Sequence, residues 1–211
     1  YLLPYILGEE RLVVATYTKA LQDQLVGNDL PLIRDYLRKT TGRQLKYGIA
    51  KGWGNYLCKY KLDQLTTKGY EDSLPFSETK VRTSVGAILD WEAQNPSRVS
   101  REDIEFKIDN KTWMGVSMTS KDCMKADCTF WDDCYAREAQ KQYQQSDVII
   151  ANHAMYAFNI VAGGVLFGSV GRVVIDEAHQ AEQAFSSALS QELSAGRFDW
   201  LASNSKSLLQ E

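Results

Sequence analysis

With 211 residues, 44% of them hydrophobic, the chain is long enough to bury the apolar core of one large domain or of two small ones. A formal net charge of -3 excludes a protein that binds nucleic acid through its overall charge, so any such affinity has to come from a local basic patch. Four cysteines are too few for a disulfide scaffold in a chain of this size, and nothing in the sequence indicates secretion, so a cytoplasmic setting is expected.

The first part of the chain predicts a helix end and two strands. Residues 1–7 are apolar but too short to span a membrane, and they are interpreted as the end of a buried helix in a chain that is itself a fragment. Residues 12–15 form a run of β-favouring side chains, and a helical pattern over residues 21–25 follows it. Residues 45–50 predict a second strand.

The later part contains two more apolar runs, residues 148–151 and 173–175, of the type found in buried parallel strands. Strands separated by helical segments predict an α/β fold with a parallel sheet. Between residues 59 and 146 charge alternates and no strand-like run occurs, while helices are predicted near 78–92 and 132–145. This stretch is interpreted as a mainly helical insertion without a strong apolar core, which needs a metal or cluster to hold it together.

Basic residues are concentrated between positions 34 and 61, where Asp35 is the only acidic residue. A stretch of this charge is expected to face nucleic-acid phosphates. The alternative is a solvated surface whose counter-charges come from elsewhere in the chain. The basic residues of this stretch are Arg34, Arg38, Lys39, Arg43, Lys46, Lys51, Lys59 and Lys61.

The chain has four cysteines, separated by 65, 5 and 6 residues, so none of them forms a C-x-x-C pair. Four thiolates can hold either Zn²⁺ or a [4Fe–4S] cluster, and the ligand type alone does not separate the two. Long, unequal spacing favours the iron–sulfur cluster, and the many charged neighbours disfavour free core cysteines. The predicted ligands are Cys58, Cys123, Cys128 and Cys134.

Aromatic residues crowd the cysteines in the sequence. They are expected to shield a cluster from solvent, the alternative being that they stack on unpaired bases. These residues are Trp53, Tyr56, Phe130, Trp131 and Tyr135.

Polar side chains follow the two later strands. His153 comes after the run at 148–151 and, taken alone, is interpreted as a satisfied core histidine. Asp176-Glu177-Ala178-His179 follows the run at 173–175, and the carboxyl end of a parallel strand is where α/β folds bind ligands.

In a nucleoside triphosphatase Asp176 would hold Mg²⁺ through its water shell, and Glu177 would orient and deprotonate the attacking water. His179 would link the nucleotide site to movement of a neighbouring domain. The alternative is a strand that runs into an acidic helix N-terminus, and the polar tail after His179 is predicted to be helical. No G-x-x-x-x-G-K-S/T loop occurs, so the isolated chain is expected to bind ATP poorly and to hydrolyse none.

In this order the segments resemble the DinG branch of the XPD-like superfamily 2 iron–sulfur DNA helicases, over nearly the whole chain. Residues 15–25 look like motif Ia, and residues 51–58 look like the segment that carries the first cluster ligand. Residues 123–137 match the other three ligands and the segment after them. Residues 147–153 look like the strand and Asn-His turn that lead back into the motor domain, and residues 174–179 look like motif II.

The resemblance implies a partial RecA-like parallel sheet with an inserted, mainly helical four-cysteine [4Fe–4S] domain. Residues 1–50 and 147–180 would belong to motor domain 1, with the Walker A loop missing. Residues 51–146 would form the cluster domain, and residues 181–211 would begin a truncated, Arch-like helical insertion. The intact protein would be a monomeric, ATP- and Mg²⁺-dependent 5′→3′ helicase in DNA repair or replication, with single-stranded or forked DNA as its partner and no membrane association.

Motif Ia grips the DNA backbone in such helicases, which makes Thr16, Thr18 and Lys19 the expected phosphate contacts. Helix capping is the alternative for both threonines. Lys51, within the basic stretch, is a further expected DNA contact.

Two positions depart from the family pattern, which usually has Arg at the place of Trp53 and His at the place of Tyr17. Stacking by Trp53 would substitute for the lost cation in contacting the strand, and Tyr56 is a further expected DNA contact. Two other functions stay open: a zinc-bound DNA-binding module without motor ancestry, and a redox-sensing module whose cluster changes the affinity for DNA.

Overall fold

A computed structural model of the chain describes residues 2–8, 10–67, 79–96 and 99–190. The predicted α/β fold with a parallel sheet is confirmed, since four parallel strands lie in the order β2-β3-β1-β4. The strands are β1 (Leu12–Thr16), β2 (Tyr47–Ala50), β3 (Val148–Asn152) and β4 (Arg172–Ile175). Each lies where the sequence predicts it.

The helices connect and cover these strands. They are α1 (Leu3–Ile6), α2 (Lys19–Gln24), α3 (Leu30–Thr41), α4 (Lys59–Thr67), α5 (Thr79–Gln94), α6 (Asn110–Val116), α7 (Tyr135–Gln144), α8 (His153–Val161) and α9 (Ala181–Leu189). The helices predicted near 78–92 and 132–145 correspond to α5 and α7, and α9 begins the predicted helical tail, whose residues 191–211 lie outside the described ranges. Among the helices that the structure describes, none is long and apolar enough to cross a membrane.

Side chains of β1 and β3 alternate between two faces of the sheet, as the pleat of a strand requires. Leu12 and Val14 pack on one face with residues of α1 and α3, whereas Val13 packs on the other face with Tyr143 of α7 and Phe167. Helices therefore cover both faces of the central strand β1, which is buried along its whole length. This is the environment in which continuous apolar runs form parallel strands.

The expectation of a buried strand is wrong for β4. Val173 is 39% exposed and Ile175 is 38% exposed. The reason is position, because β4 pairs with β1 on one side and with no other strand among the described residues.

The segment between β2 and β3, residues 51–146, has an apolar core of its own, so the expectation that it lacks one is wrong. Its helices α4, α5 and α6 pack together, and two isolated bridges, Tyr56 to Ser100 and Leu57 to Ser117, join its backbone. The buried apolar residues are Leu57, Leu62, Leu65, Val85, Ile88, Val99, Ile104, Trp113 and Val116. They are spread widely along the sequence, so no local run reveals them.

Residues 118–134 differ from the rest of this segment. All of them are described, and none has a buried side chain. Their regular structure is a single short 3-10 turn, Lys125–Asp127. Apolar packing therefore stabilises the part of the segment that precedes residue 118, but not the part that carries three of the four cysteines.

Candidate functional site

The carboxyl ends of β1, β3 and β4 meet at one edge of the sheet. The register pairs Thr16 with Asn152 and Ala15 with Ile175. Asp176 continues the pairing, since its backbone N–H donates to the carbonyl of Ala15 at 2.8 Å. Parallel pairing thus brings motif Ia, the Asn-His turn and the acidic motif together at the edge where α/β sheets bind ligands.

The acidic motif forms a tight turn at this edge. The Asp176 carboxylate accepts a hydrogen bond from the backbone N–H of Glu177 at 2.9 Å. Glu177 adopts the left-handed conformation (φ 49°, ψ 46°), which is rare outside glycine and costs on the order of 1 kcal/mol. His179 Nδ1 lies 3.4 Å from Glu177 Oε2, and the two side chains are 67% and 50% exposed. The structure therefore places Asp176, Glu177 and His179 in one turn, with the glutamate accessible to a ligand.

The buried side chain of His153 contacts the backbone of this turn. It is 1% exposed, and its Nε2 lies 2.9 Å from the backbone carbonyl oxygen of Asp176. Because a carbonyl only accepts, Nε2 carries the proton, and Nδ1 is left without a hydrogen-bond partner among the described residues. The rings of Tyr17 and Phe185 lie 6.0 and 6.1 Å from the imidazole. The core position agrees with the sequence interpretation, but the bond to the acidic motif has no local sequence signal.

The motif Ia residues occupy different environments. Thr16 is fully buried, and its hydroxyl lies 3.5 Å from the Thr18 carbonyl. Thr18 is the N-cap of α2, since its hydroxyl accepts from the backbone N–H of Leu21 at 3.3 Å. Lys19 has a side chain that is 56% exposed, and Thr18 is exposed as well.

The other residues predicted to contact DNA are engaged within the protein. Lys51 is 17% exposed and forms an ion pair with Glu102. The ring of Trp53 lies 5.9 Å from that of Trp131, a contact that joins the first-cysteine region to the later cysteines. Tyr56 is 8% exposed, and burial raises the pKa of its hydroxyl well above the usual range.

Several side chains of the basic stretch also have partners inside the protein. Arg43 lies 4.0 Å from Asp147, and Lys51 pairs with Glu102. Lys61 donates to a backbone carbonyl at 2.7 Å, and burial lowers its pKa. Arg43 and Lys51 thus have acidic partners from distant parts of the chain, whereas the partner of Lys61 is a backbone carbonyl.

Cys58 lies directly before α4 and Cys134 directly before α7. Burial raises the pKa of the Cys58 thiol, the backbone N–H groups of Lys61 and Tyr60 oppose that shift, and Cys134 is close enough to raise the pKa electrostatically. Cys123 Sγ accepts from the backbone N–H of Lys125 at 3.3 Å.

All four cysteines are free and half-buried. Among the residues that the structure describes, however, no three or more Cys, His, Asp or Glu side chains are grouped so as to hold a metal ion. The fold thus brings Cys58 near Cys134 but does not group all four sulfur atoms into one metal site.

A cavity of about 520 Å³ lies next to β2, between α7 and the part of the 51–146 segment that precedes α7. Its lining mixes Lys51 and Lys59 with four carboxylates, which makes it a poor match for an anionic ligand. The acidic motif does not line it. The carboxylates are those of Asp103, Asp132, Asp133 and Glu138.

Replacing His153 by phenylalanine tests its role under the acidic motif. Phe keeps an aromatic ring between Tyr17 and Phe185 but removes the donor to Asp176, so we expect a loss of about 1 kcal/mol in the free energy of unfolding. The amides of Glu177 and Ala178 should also exchange faster in hydrogen-exchange experiments.

The only other histidine, His179, supplies the matched control because it lies exposed in the same turn. His179→Phe should leave stability unchanged. Equal effects of the two substitutions on stability and on exchange would contradict a supporting role for His153.

No family model matches the chain. It is 30% identical over 208 residues to the ATP-dependent helicase DinG of Mycobacterium tuberculosis, in an alignment that covers 92% of this chain and 31% of that protein. It is 30% identical over 199 residues to the ATP-dependent DNA helicase YoaA of Escherichia coli, with 92% and 30% covered. It is 28% identical over 209 residues to the ATP-dependent DNA helicase DinG of Escherichia coli, with 90% and 28% covered.

The chain spans about a third of the length of the relatives it matches. These matches extend over nearly the whole chain, since they cover at least 90% of it. The resemblance inferred from the motifs is therefore confirmed: the chain is homologous to a segment of the DinG and YoaA helicases.

Proposed function

We propose that this chain supplies part of the ATP-hydrolysing site of a DNA helicase. The observation that carries the proposal is the position of Asp176 and Glu177 at the carboxyl end of β4, beside the carboxyl ends of β1 and β3. Oxygen ligands of this kind suit Mg²⁺, which Asp176 would hold through its water shell. Glu177 would orient the attacking water and accept its proton.

His179 would pass the state of the nucleotide to a neighbouring domain, since it contacts Glu177 and is itself exposed. The sequence contains no phosphate-cradling loop, so the cradle and its lysine would come from other parts of a full-length protein, and this chain alone would hydrolyse no ATP. The relatives' names support the assignment, because all three are ATP-dependent helicases. The complete motor would move 5′→3′ on single-stranded or forked DNA as a monomer.

In the full-length protein, Glu177→Gln should lower kcat for DNA-stimulated ATP hydrolysis by about 10²-fold or more, because the variant cannot accept the proton of water. Unwinding of a duplex with a 5′ single-stranded tail should fall in parallel. Glu182→Gln, which neutralises an exposed carboxylate in the first turn of α9, is the control and should leave both rates unchanged. An unaltered kcat in Glu177→Gln would exclude the proposed water-activating role.

We propose further that Cys58, Cys123, Cys128 and Cys134 hold a [4Fe–4S] cluster. The donor set fits, because four thiolates are the usual ligands of such a cluster. Two observations support it: residues 118–134 have no buried side chain, and the Trp53–Trp131 contact brings the region of Cys58 next to the later cysteines. The cluster would supply a cross-link between these parts of the chain.

The apolar core of the preceding helices limits what this cross-link has to do. Residues 57–116 have buried side chains of their own, so the cluster would mainly fix residues 118–134 against them. Trp131 on Trp53 and Arg137 over the Trp131 ring at 4.7 Å would shield it on one side.

Cys123→Ser should therefore make residues 118–134 sensitive to proteases, while helices α4 and α6 stay resistant. Limited proteolysis with mass mapping of the fragments measures both regions in one experiment. Met124→Ser, at an exposed neighbouring position, is the control, and proteases should cleave it as they cleave the unmodified chain. Full retention of resistance across residues 118–134 in the Cys123 variant would contradict a cross-link through that cysteine.

A further inference from the structure

Glu102 joins two lysines that come from different parts of the sheet. Its Oε1 lies 3.5 Å from Lys19 Nζ, and its Oε2 pairs with Lys51 Nζ. Lys19 is the first residue of α2, the helix that follows β1, whereas Lys51 directly follows β2. Glu102 belongs to the segment between β2 and β3, so one carboxylate ties that segment to the end of the sheet.

The turn that carries Glu102 is held in place by its neighbours. The backbone N–H and the hydroxyl of Ser100 donate to Asp103 Oδ2 at 2.9 and 2.7 Å. The backbone N–H of Arg101 donates to the carbonyl of Asn55 at 2.8 Å. Asp103 thus closes its own turn, and the carboxylate that reaches the two lysines is that of Glu102.

Two ammonium groups that converge on one carboxylate form a site for an anion with two oxygens. A phosphodiester has the same feature, and lysine binds phosphate as a point charge. The site is open on one side, since Lys19 is 56% exposed and Glu102 is 34% exposed. An exposed ion pair such as that of Lys19 contributes little to stability, whereas Lys51 is only 17% exposed.

We propose that Lys19 and Lys51 form a site for a backbone phosphate of single-stranded DNA, which Glu102 occupies when no DNA is bound. The inference rests on the proposed function in DNA binding and adds that the Glu102 carboxylate competes with the phosphate for the two lysines. Glu102 lowers the affinity for the strand, because a phosphate has to displace its carboxylate. DNA binding then releases the segment between β2 and β3 from its ion pairs with Lys19 and Lys51.

The test compares Glu102→Gln with the unmodified chain in fluorescence anisotropy, with a labelled oligothymidylate of about 20 nucleotides as the probe. Glu102→Gln should bind about two- to fivefold more tightly, the range that corresponds to the loss of an exposed ion pair. The salt dependence should steepen by about 0.7 in log–log slope for each additional phosphate neutralised. Replacing Lys19 and Lys51 by glutamine as well should abolish the gain.

Glu138→Gln is the matched control, because it makes the same charge change at an exposed ion pair, with Lys141 at 3.8 Å. If Glu102→Gln binds no more tightly than Glu138→Gln, the competition is excluded while DNA binding stands. If neither the unmodified chain nor either variant binds the oligothymidylate at low salt, DNA binding by this chain fails and the inference fails with it. Thermal unfolding of each variant verifies that it is folded at the temperature of the assay.

Discussion

The pairing of β1 with β3 on one side and with β4 on the other determines the geometry of the acidic motif and of the residues beside it. Parallel strands in fixed register end at the same edge, so Thr16, Asn152 and Asp176 meet there although they are far apart in sequence. The buried imidazole of His153 then fixes the carbonyl of Asp176. The acidic motif owes its conformation to this frame, including the left-handed backbone of Glu177, which an isolated turn would not maintain.

Apolar packing, the proposed cluster and the ion pairs of Glu102 each act on a different part of the segment between β2 and β3. Helices α4, α5 and α6 pack around Trp113 and Val116 through buried apolar side chains. Residues 118–134 have no such packing, and a polar stretch without a core is stabilised in other proteins by metals or disulfides. Three of the four cysteines lie in residues 118–134, the part of the segment that has no apolar core. Glu102 provides a third, electrostatic link, between this segment and the lysines after β1 and β2.

The sheet could be predicted from the sequence because β1, β3 and β4 are local runs of apolar, mostly β-branched residues. The acidic motif and the cysteines could be found because they are rare local patterns. The apolar core of residues 57–116 could not, since its members lie at irregular intervals and meet only in the folded chain. The exposure of β4 and the pairing of Glu102 with Lys19 and Lys51 depend on neighbours distant in sequence, which no local pattern encodes.

The proposed [4Fe–4S] cluster would hold the cysteine-bearing residues onto the rest of this segment. The iron, sulfide and zinc content of the chain purified without oxygen from iron-replete cells, together with its visible absorption, tests this proposal. We expect about four irons per chain, an equal amount of sulfide, and the broad absorption of a cluster. One zinc per chain without sulfide would contradict it.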